Sequence, residues 1–483
     1  MKKYTVLVLF LALVGCDGSD TSNNSAYTAG VTGESAVPDK VKVPDGVTVP
    51  DKVEVPDTSV IKLTTDPVFQ VKKGTRFVTD QLTFNFVKTI NAEIKVYDKD
   101  HAMIFEKVVS SAASEITVNV GSGYNNTSLK YGKYFYEIST SLPDGSEEKV
   151  FKGSFDKIIR PIATFTNKIS DISIFGDTLY VATGDMMKDV EVRSVNIKSD
   201  DVTLLNISGK DLPKPIYDMA RVGNKLYMGG RKDQYMGGKL LVEYDLDSNI
   251  VSDLDSQLSC KTKNDDECSA VFSLTSMLDK LYIGTSDGLF SHKDDLFSKI
   301  TEHGLDEFTD FKSLFVDSQD RIWAGSMIKG GISYYAKGSW TPMTEVNSQM
   351  PAGGILAFSE DNNRNIYMAN NINGLIKYNS ESNNLKQFTP HNSGIIDHNL
   401  VSVAYTDGII VGSHDYGIAK SEDGSDWKVT DSSNSLMAPI KTDACQWNPD
   451  SVACKKVLVV ERIVENKDGR IFAAIGKGIY ELY

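Results

Sequence analysis

Leu179-Tyr180-Val181-Ala182, Leu226-Tyr227-Met228-Gly229, Leu281-Tyr282-Ile283-Gly284, Ile322-Trp323-Ala324-Gly325, Ile366-Tyr367-Met368-Ala369, Ile409-Ile410-Val411-Gly412 and Ile471-Phe472-Ala473-Ala474 are seven versions of one phrase. Each is hydrophobic–bulky–hydrophobic–small. Each follows an apolar strand and a polar turn, and each is followed by another turn, in most cases glycine-containing. The start positions give spacings of 47, 55, 41, 44, 43 and 62 residues. A strand-built period of about 40 to 50 residues is the signature of propeller blades. The expected fold is therefore all-β, a seven-bladed β-propeller over 158–483.

The rest of the 483-residue chain is organised around this repeat. Lys2 and Lys3 precede an apolar run from Val6 to Val14 that is too short to span a bilayer and reads as a secretory signal. It closes on Leu13-Val14-Gly15-Cys16, which resembles the lipobox of bacterial lipoproteins. That resemblance implies cleavage after residue 15 and acyl chains on Cys16. Asp17 resembles the inner-membrane retention signal of enterobacterial lipoproteins, which tilts localisation toward the periplasmic side of that membrane; outer membrane or cell surface is the alternative.

Residues 16–59 read as a tether. Val37-Pro38-Asp39, Val43-Pro44-Asp45, Val49-Pro50-Asp51 and Val55-Pro56-Asp57 recur every six residues. Each proline fixes its own φ and pushes the preceding valine toward extended geometry. At ~3.1 Å per residue such a spacer reaches roughly 65 Å. Residues 60–157 alternate in the period of strands, as in Leu82-Thr83-Phe84-Asn85-Phe86. Ile94-Lys95-Val96-Tyr97-Asp98, Tyr131-Gly132-Lys133-Tyr134-Phe135-Tyr136-Glu137-Ile138 and Asp144-Gly145 together resemble the Ig/fibronectin-III-like sandwich of flagellar hook-capping proteins. Asn119-Val120-Gly121 stands where that family has a Trp-Asp-Gly segment.

Within the repeats, Leu314-Phe315-Val316-Asp317-Ser318-Gln319-Asp320-Arg321-Ile322-Trp323-Ala324-Gly325-Ser326 and Val403 through Ser413 resemble the two-component-regulator propeller repeat. That family implies a periplasmic sensor, often fused to a kinase. Ser421 through Trp427 resembles a shortened Asp-box of sialidase-type propellers, a turn element remote from chemistry. The last blade supplies only three strands. Pro161 through Thr166 is expected to close it as the outermost strand.

A formal charge of −14 argues against nucleic acid, which needs a concentrated Lys/Arg face. Cys260 with Cys268, and Cys445 with Cys454, form two close pairs, read as local disulfides in an oxidising compartment. Neither loop holds a histidine, so zinc is not expected. Asn264-Asp265-Asp266-Glu267 offers oxygen ligands for calcium but lacks EF-hand spacing; a soluble acidic tip is preferred and no cofactor is expected.

The loops on one face of a propeller gather around its channel, and loops on rigid scaffolds carry function. The partner-binding face is read as Arg231, Lys232, Asp287, Lys329, Asn370, Asn371, His414, Asp415, Tyr416 and Trp447. His414-Asp415-Tyr416 is its most chemical cluster, and Trp447, in the loop between Cys445 and Cys454, suits stacking. Gly284-Thr285-Ser286-Asp287-Gly288 matches a nucleophile-elbow string but lies in a hairpin, where that motif does not function. No catalytic residue is assigned. The expectation is a non-enzymatic, membrane-anchored envelope lipoprotein whose propeller face binds a protein, peptide or glycan. The alternatives are a lyase or glycan hydrolase at the channel mouth, or a periplasmic ligand sensor acting through a separate kinase.

Overall fold

The computed structural model describes residues 60–73, 78–121, 129, 132–157, 159–207, 211–232, 237–264, 266–327, 331–430 and 459–482. The proposed signal, Cys16, the tether, Lys329 and Trp447 lie outside the described residues. So do Cys445 and Cys454, the second expected disulfide.

The seven repeats form seven antiparallel four-stranded sheets. In the third, Val271–Met277, Lys280–Thr285, Gly288–Lys293 and Leu296–Ile300 follow one another outward. The first strands of neighbouring sheets touch in sequence order, and that of the seventh, Val460–Glu465, returns to that of the first, Ile169–Phe175. This closes the ring. Each interface between adjacent blades carries its own apolar cluster, so the propeller has seven wedge-shaped cores rather than one.

This packing explains the repeated phrase. The second strand of each blade is covered on both faces, so it reads as a continuous apolar run. Its fourth residue is small because the next blade's inner strand presses on it. A Cβ at Gly229, Gly325 or Gly412 would collide with Val271, Ile355 or Val460 of the following blade. At Gly284 it would strike Phe311 and Ser273.

The polar turn between first and second strands is also built by side chains. Asp317 accepts from the backbone N–H of Gln319 and Arg321, each at 2.9 Å, and from Trp323 Nε1 at 2.7 Å. Asp361 and Asn466 repeat the backbone pattern in blades five and seven. The third residue after each has positive φ: 55° at Asp320, 62° at Arg364 and 74° at Gly469. Gly469 meets that requirement without strain, whereas Asp320 and Arg364 adopt it despite a Cβ.

Ring closure uses the strand Ile159–Thr164, which pairs with Gly478–Leu482 as the outermost strand of blade seven. The expected closing strand is thus present, starting two residues earlier than the sequence suggested. Pro161 sits on its edge, where a missing N–H is tolerated. Glu481, buried, is gripped from both sides. Arg160 of the closing strand reaches it at 2.7 Å and Arg470 at 2.6 Å. Arg160 also pairs with Asp200 of blade one at 2.6 Å.

The N-terminal region is one curled five-stranded sheet. The 20-residue strand Val78–Tyr97 pairs with Val68–Lys73 through its first part and with Gly132–Ser141 through its last. Met103–Asn119 runs along its other edge, with register breaks between Asn85 and Ala92. Because the strand is continuous through this bend, both halves belong to one sheet around one core that includes Leu82, Phe84, Ile94, Ile138 and Phe155. Among the described residues all five strands are thus joined into this one curled sheet. Asp80 and Lys157 form a buried ion pair at 2.9 Å, and both also bond to the backbone of Leu129. Removing either partner of such a pair costs about 3–5 kcal/mol. Lys133–Glu422 and Lys428–Ser154 link this sheet to the sixth blade.

Candidate functional site

All seven inner strands contain a bulge at the same place: in each, the residue after the first has no partner on the second strand. The unpaired residues are Ser170, Tyr217, Phe272, Lys312, Leu356, Val401 and Glu461. A bulge re-aims a side chain. Here it releases one position per blade at the end of the strand beside the channel.

Contacts between non-adjacent blades locate these residues at the axis. Lys312 of blade four places its amine 4.8 Å from the ring centre of Tyr217 in blade two and 4.3 Å from that of Phe272 in blade three. The two rings lie 5.8 Å apart, tilted by 43°. Burial holds the Lys312 amine below the usual lysine value; Asp310 and Asp218 pull it upward and Arg462 pushes it down. Glu461 meets Lys168 at 2.9 Å. Burial raises its carboxyl above the ordinary range, opposed by Lys168 and His414.

One residue deeper, the third position forms a polar belt. Ser273 donates to the Phe311 carbonyl at 3.0 Å, and Ser313 to the Ile355 carbonyl at 2.6 Å. Ser402 accepts from the Ile463 N–H at 2.9 Å, and Asp218 from that of Leu274 at 2.8 Å. Each therefore ties its blade to the next. Arg462 completes the belt by reaching Asp171 and Asp218, each at 3.0 Å. Burial and repulsion from Asp218 push the Asp171 carboxyl well above its ordinary value, while Arg462 opposes them. These bonds join the inner strands of different blades near the axis.

The loop residues named from the sequence divide into two groups. His414 and Asp415 do meet, at 3.0 Å, and both are about half exposed, as is Tyr416. Asp415 and Tyr416 are held by their backbone N–H groups on Ser413 Oγ. The others are engaged in loop structure. Lys232 is paired with Glu267 at 2.9 Å and Asp255 at 3.6 Å. Asp287 accepts from Ser286 Oγ, and the Arg231 backbone bridges to Ala270. Asn370 is wholly buried and organises its own turn through Ile372 N–H and Asn373 N–H, while Asn371 accepts from Gly354 N–H. What Asn370 gives the face is loop geometry rather than contact area.

Of the two expected disulfides, Cys260–Cys268 is present, with Cα atoms 5.5 Å apart. It lies between the second and third blades, as its place in the repeat requires. The pairing expected of Cys445 with Cys454 falls outside the described residues, so the structure carries one of the two bridges read from the sequence. Among the described residues no group of His, Cys, Asp and Glu is arranged to hold a metal. No helix among them is long and apolar enough to cross a membrane.

Lys312, Tyr217, Phe272, Glu461 and the Asp171–Arg462–Asp218 bridge were missed by a reading confined to loops. Their signal was available: aligning the seven apolar first strands exposes a second position without any common residue type and a third that is mostly polar.

No family model matches this chain, and neither does any curated protein. Solved structures match in fold. The extracellular domain of the putative hybrid two-component system BT4673 from B. thetaiotaomicron aligns at 14% identity and a TM-score of 0.48, covering 67% of this chain and 39% of that one. The WD40 repeats of RRP9 align at 11% identity and 0.45, covering 67% and 97%. YCF48 bound to D1 peptide aligns at 12% identity and 0.46, covering 68% and 96%. The chain therefore spans about two fifths of the BT4673 structure's length.

Proposed function

We propose that the protein is a membrane-anchored envelope lipoprotein whose channel mouth captures a partner, without chemistry of its own. In this reading acyl chains on Cys16 hold it to the bilayer, residues 16–59 are a tether, and the curled sheet of 60–157 is a divergent Ig-like spacer. The observation that carries the proposal is the ring of seven unlike side chains at the bulged second position. The neighbouring first position is uniformly apolar, because it packs between blades: Ile169, Ile216, Val271, Phe311, Ile355, Leu400 and Val460. The second position is free of that constraint and carries hydroxyl, aromatic, amine, aliphatic and carboxyl groups side by side. Diverse groups on a rigid rim suit recognition.

The test is capture from envelope extracts with the full chain as bait. A partner retained by the wild type and lost by Tyr217→Ala/Phe272→Ala, but kept by Lys198→Ala on the outer edge, supports the proposal. Equal retention by both variants refutes it. Metabolic labelling with palmitate, lost in Cys16→Ser, tests the anchor; unlabelled wild type refutes it.

One observation favours an enzymatic alternative: Glu461, largely buried and with its carboxyl raised above the ordinary range by that burial, lies within electrostatic reach of His414, itself bonded to Asp415. Such a pair is equipped for proton transfer. If Glu461→Gln and His414→Ala both abolish the complementation of a deletion strain while partner capture survives, this alternative replaces the binding one.

A further inference from the structure

We infer that the channel mouth recognises the C-terminal carboxylate of a peptide ending in an apolar residue, with Lys312 as the carboxylate's partner and Tyr217 and Phe272 as the wall for the terminal side chain. This deepens the binding function proposed above and rests on it.

Among the described residues Lys280 and Lys386 each rest on one aromatic ring without a carboxylate, but Lys312 rests on two. Its amine lies against the faces of two aromatic rings, yet no carboxylate or other acceptor stands within bonding distance of it among the described residues. By contrast Lys168, Lys232, Lys239 and Lys299 of the same propeller are all paired with carboxylates. Lys312 is partly buried, and a partly desolvated cation without an anion is costly unless a ligand supplies one. The depressed amine agrees with that reading. Cation–π contact satisfies one side of the ammonium, leaving its remaining donors for an acceptor from outside.

The ligand's chemistry follows from what surrounds the amine. A cationic ligand is refused, since Lys312 already occupies the ring faces. A polyacidic one is opposed by a net charge of −14 and finds little free cationic charge here, since Arg462 and Lys168 are already paired with Asp171, Asp218 and Glu461. One carboxylate on an apolar body meets neither objection. Leu356 and Val401 hold the same register position in the next two blades. Aliphatic groups there suit peptide side chains, whereas a glycan would need hydrogen-bonding partners for its hydroxyls. The belt of Asp171, Asp218 and Arg462 lies one residue deeper along the same strands. A chain end that need go no further than that belt fits such a mouth better than a segment passing through.

The experiment uses the full chain, immobilised, and a pool of N-acetylated random octapeptides in two forms: free C-terminal carboxylate and carboxamide. Bound peptides are sequenced by mass spectrometry, and the most enriched is titrated by fluorescence anisotropy. The inference expects enrichment of apolar last residues from the free-acid pool alone. Lys312→Met should weaken the best peptide about tenfold to a hundredfold, the loss of one charge-assisted hydrogen bond. Lys312→Arg should retain most of the affinity. Because Lys312 makes no ion pair, Lys312→Met should melt within about 2 °C of wild type, which separates lost binding from lost fold. No enrichment from either pool, equal enrichment from both, or affinity unchanged in Lys312→Met overturns it. So does 3-phenylpropionate competing as strongly as the peptide, which would make the ligand a small aromatic acid. If those results accompany a partner still lost by Tyr217→Ala/Phe272→Ala, the mouth binds a partner but not through a chain end.

Discussion

Replacing Glu481 by glutamine tests how the ring is locked. The carboxylate is almost fully buried and holds two guanidiniums at 2.7 and 2.6 Å, one from the closing strand and one from the blade it completes. Glutamine preserves the volume but leaves two cations facing a neutral amide. Each charge-assisted hydrogen bond is worth about 1.5–3 kcal/mol net, and breaking a buried pair about 3–5. The arginines are only partly buried, with 24% and 31% of their side chains exposed, and Arg160 keeps Asp200. Both facts favour the low end, about 3 kcal/mol. For a domain of this size, at about 2 °C per kcal/mol, the melting temperature should fall by about 6 °C. Differential scanning calorimetry at neutral pH measures it. Lys198→Ala, which removes the exposed pair with Asp177, is the control and should shift it by about 1 °C or less. A Glu481→Gln protein that melts within 1 °C of wild type would refute the claim that this clamp fastens the closing strand.

Three further outcomes follow from the same packing. His292 and His303 are buried, and burial depresses both below the ordinary value of 6.5; the unfolded chain therefore binds more protons, and stability should fall as pH drops below about 6.5. Urea midpoints at pH 7.0 and 5.5 should converge in the His292→Gln/His303→Gln variant relative to wild type; an unchanged difference contradicts the assignment. Gly284→Ala should destabilise by about 1–3 kcal/mol or more through overpacking against Phe311, whereas Gly176→Ala, with open space but positive φ, should cost only about 1–2, both read from denaturant curves. Changing both Cys260 and Cys268 to serine should cost about 2–3 kcal/mol by loop-entropy arguments, again measurable as a shift in urea midpoint.

The blades were legible in the sequence because their constraint is repeated seven times. Leu281-Tyr282-Ile283-Gly284 is apolar throughout since its strand is covered on both faces, and small at the end since Phe311 presses there. The closing strand was legible by subtraction, as a blade with three strands needs a fourth from elsewhere. The curled sheet was less so. Val78–Tyr97 alternates as a sandwich strand would, and nothing in alternation distinguishes a strand that ends from one that bends and continues. At the mouth, His414 and Asp415 were found because loops were inspected. Lys312 was not, because it reads simply as one of two polar residues, with Ser313, in a mainly apolar strand, Phe311-Lys312-Ser313-Leu314-Phe315. Only the bulge, a feature of backbone pairing, sets it apart.

The pairing of Ile159–Thr164 with Gly478–Leu482 also governs how the molecule is made. A chain emerging N-terminus first delivers its closing strand before any blade, and that strand must wait for the last one. During synthesis or export, every blade but the seventh can assemble from consecutive residues. The seventh cannot. From the synthesis of Ile159–Thr164 until that of Gly478–Leu482, the nascent protein therefore carries a strand without its sheet partner, open to proteases and to other strand edges. Loss of Gly478–Leu482 would remove the strand with which Ile159–Thr164 pairs among the described residues and leave the ring open at the seam. A chain cut short before Gly478 would therefore hold six complete blades and no finished circle.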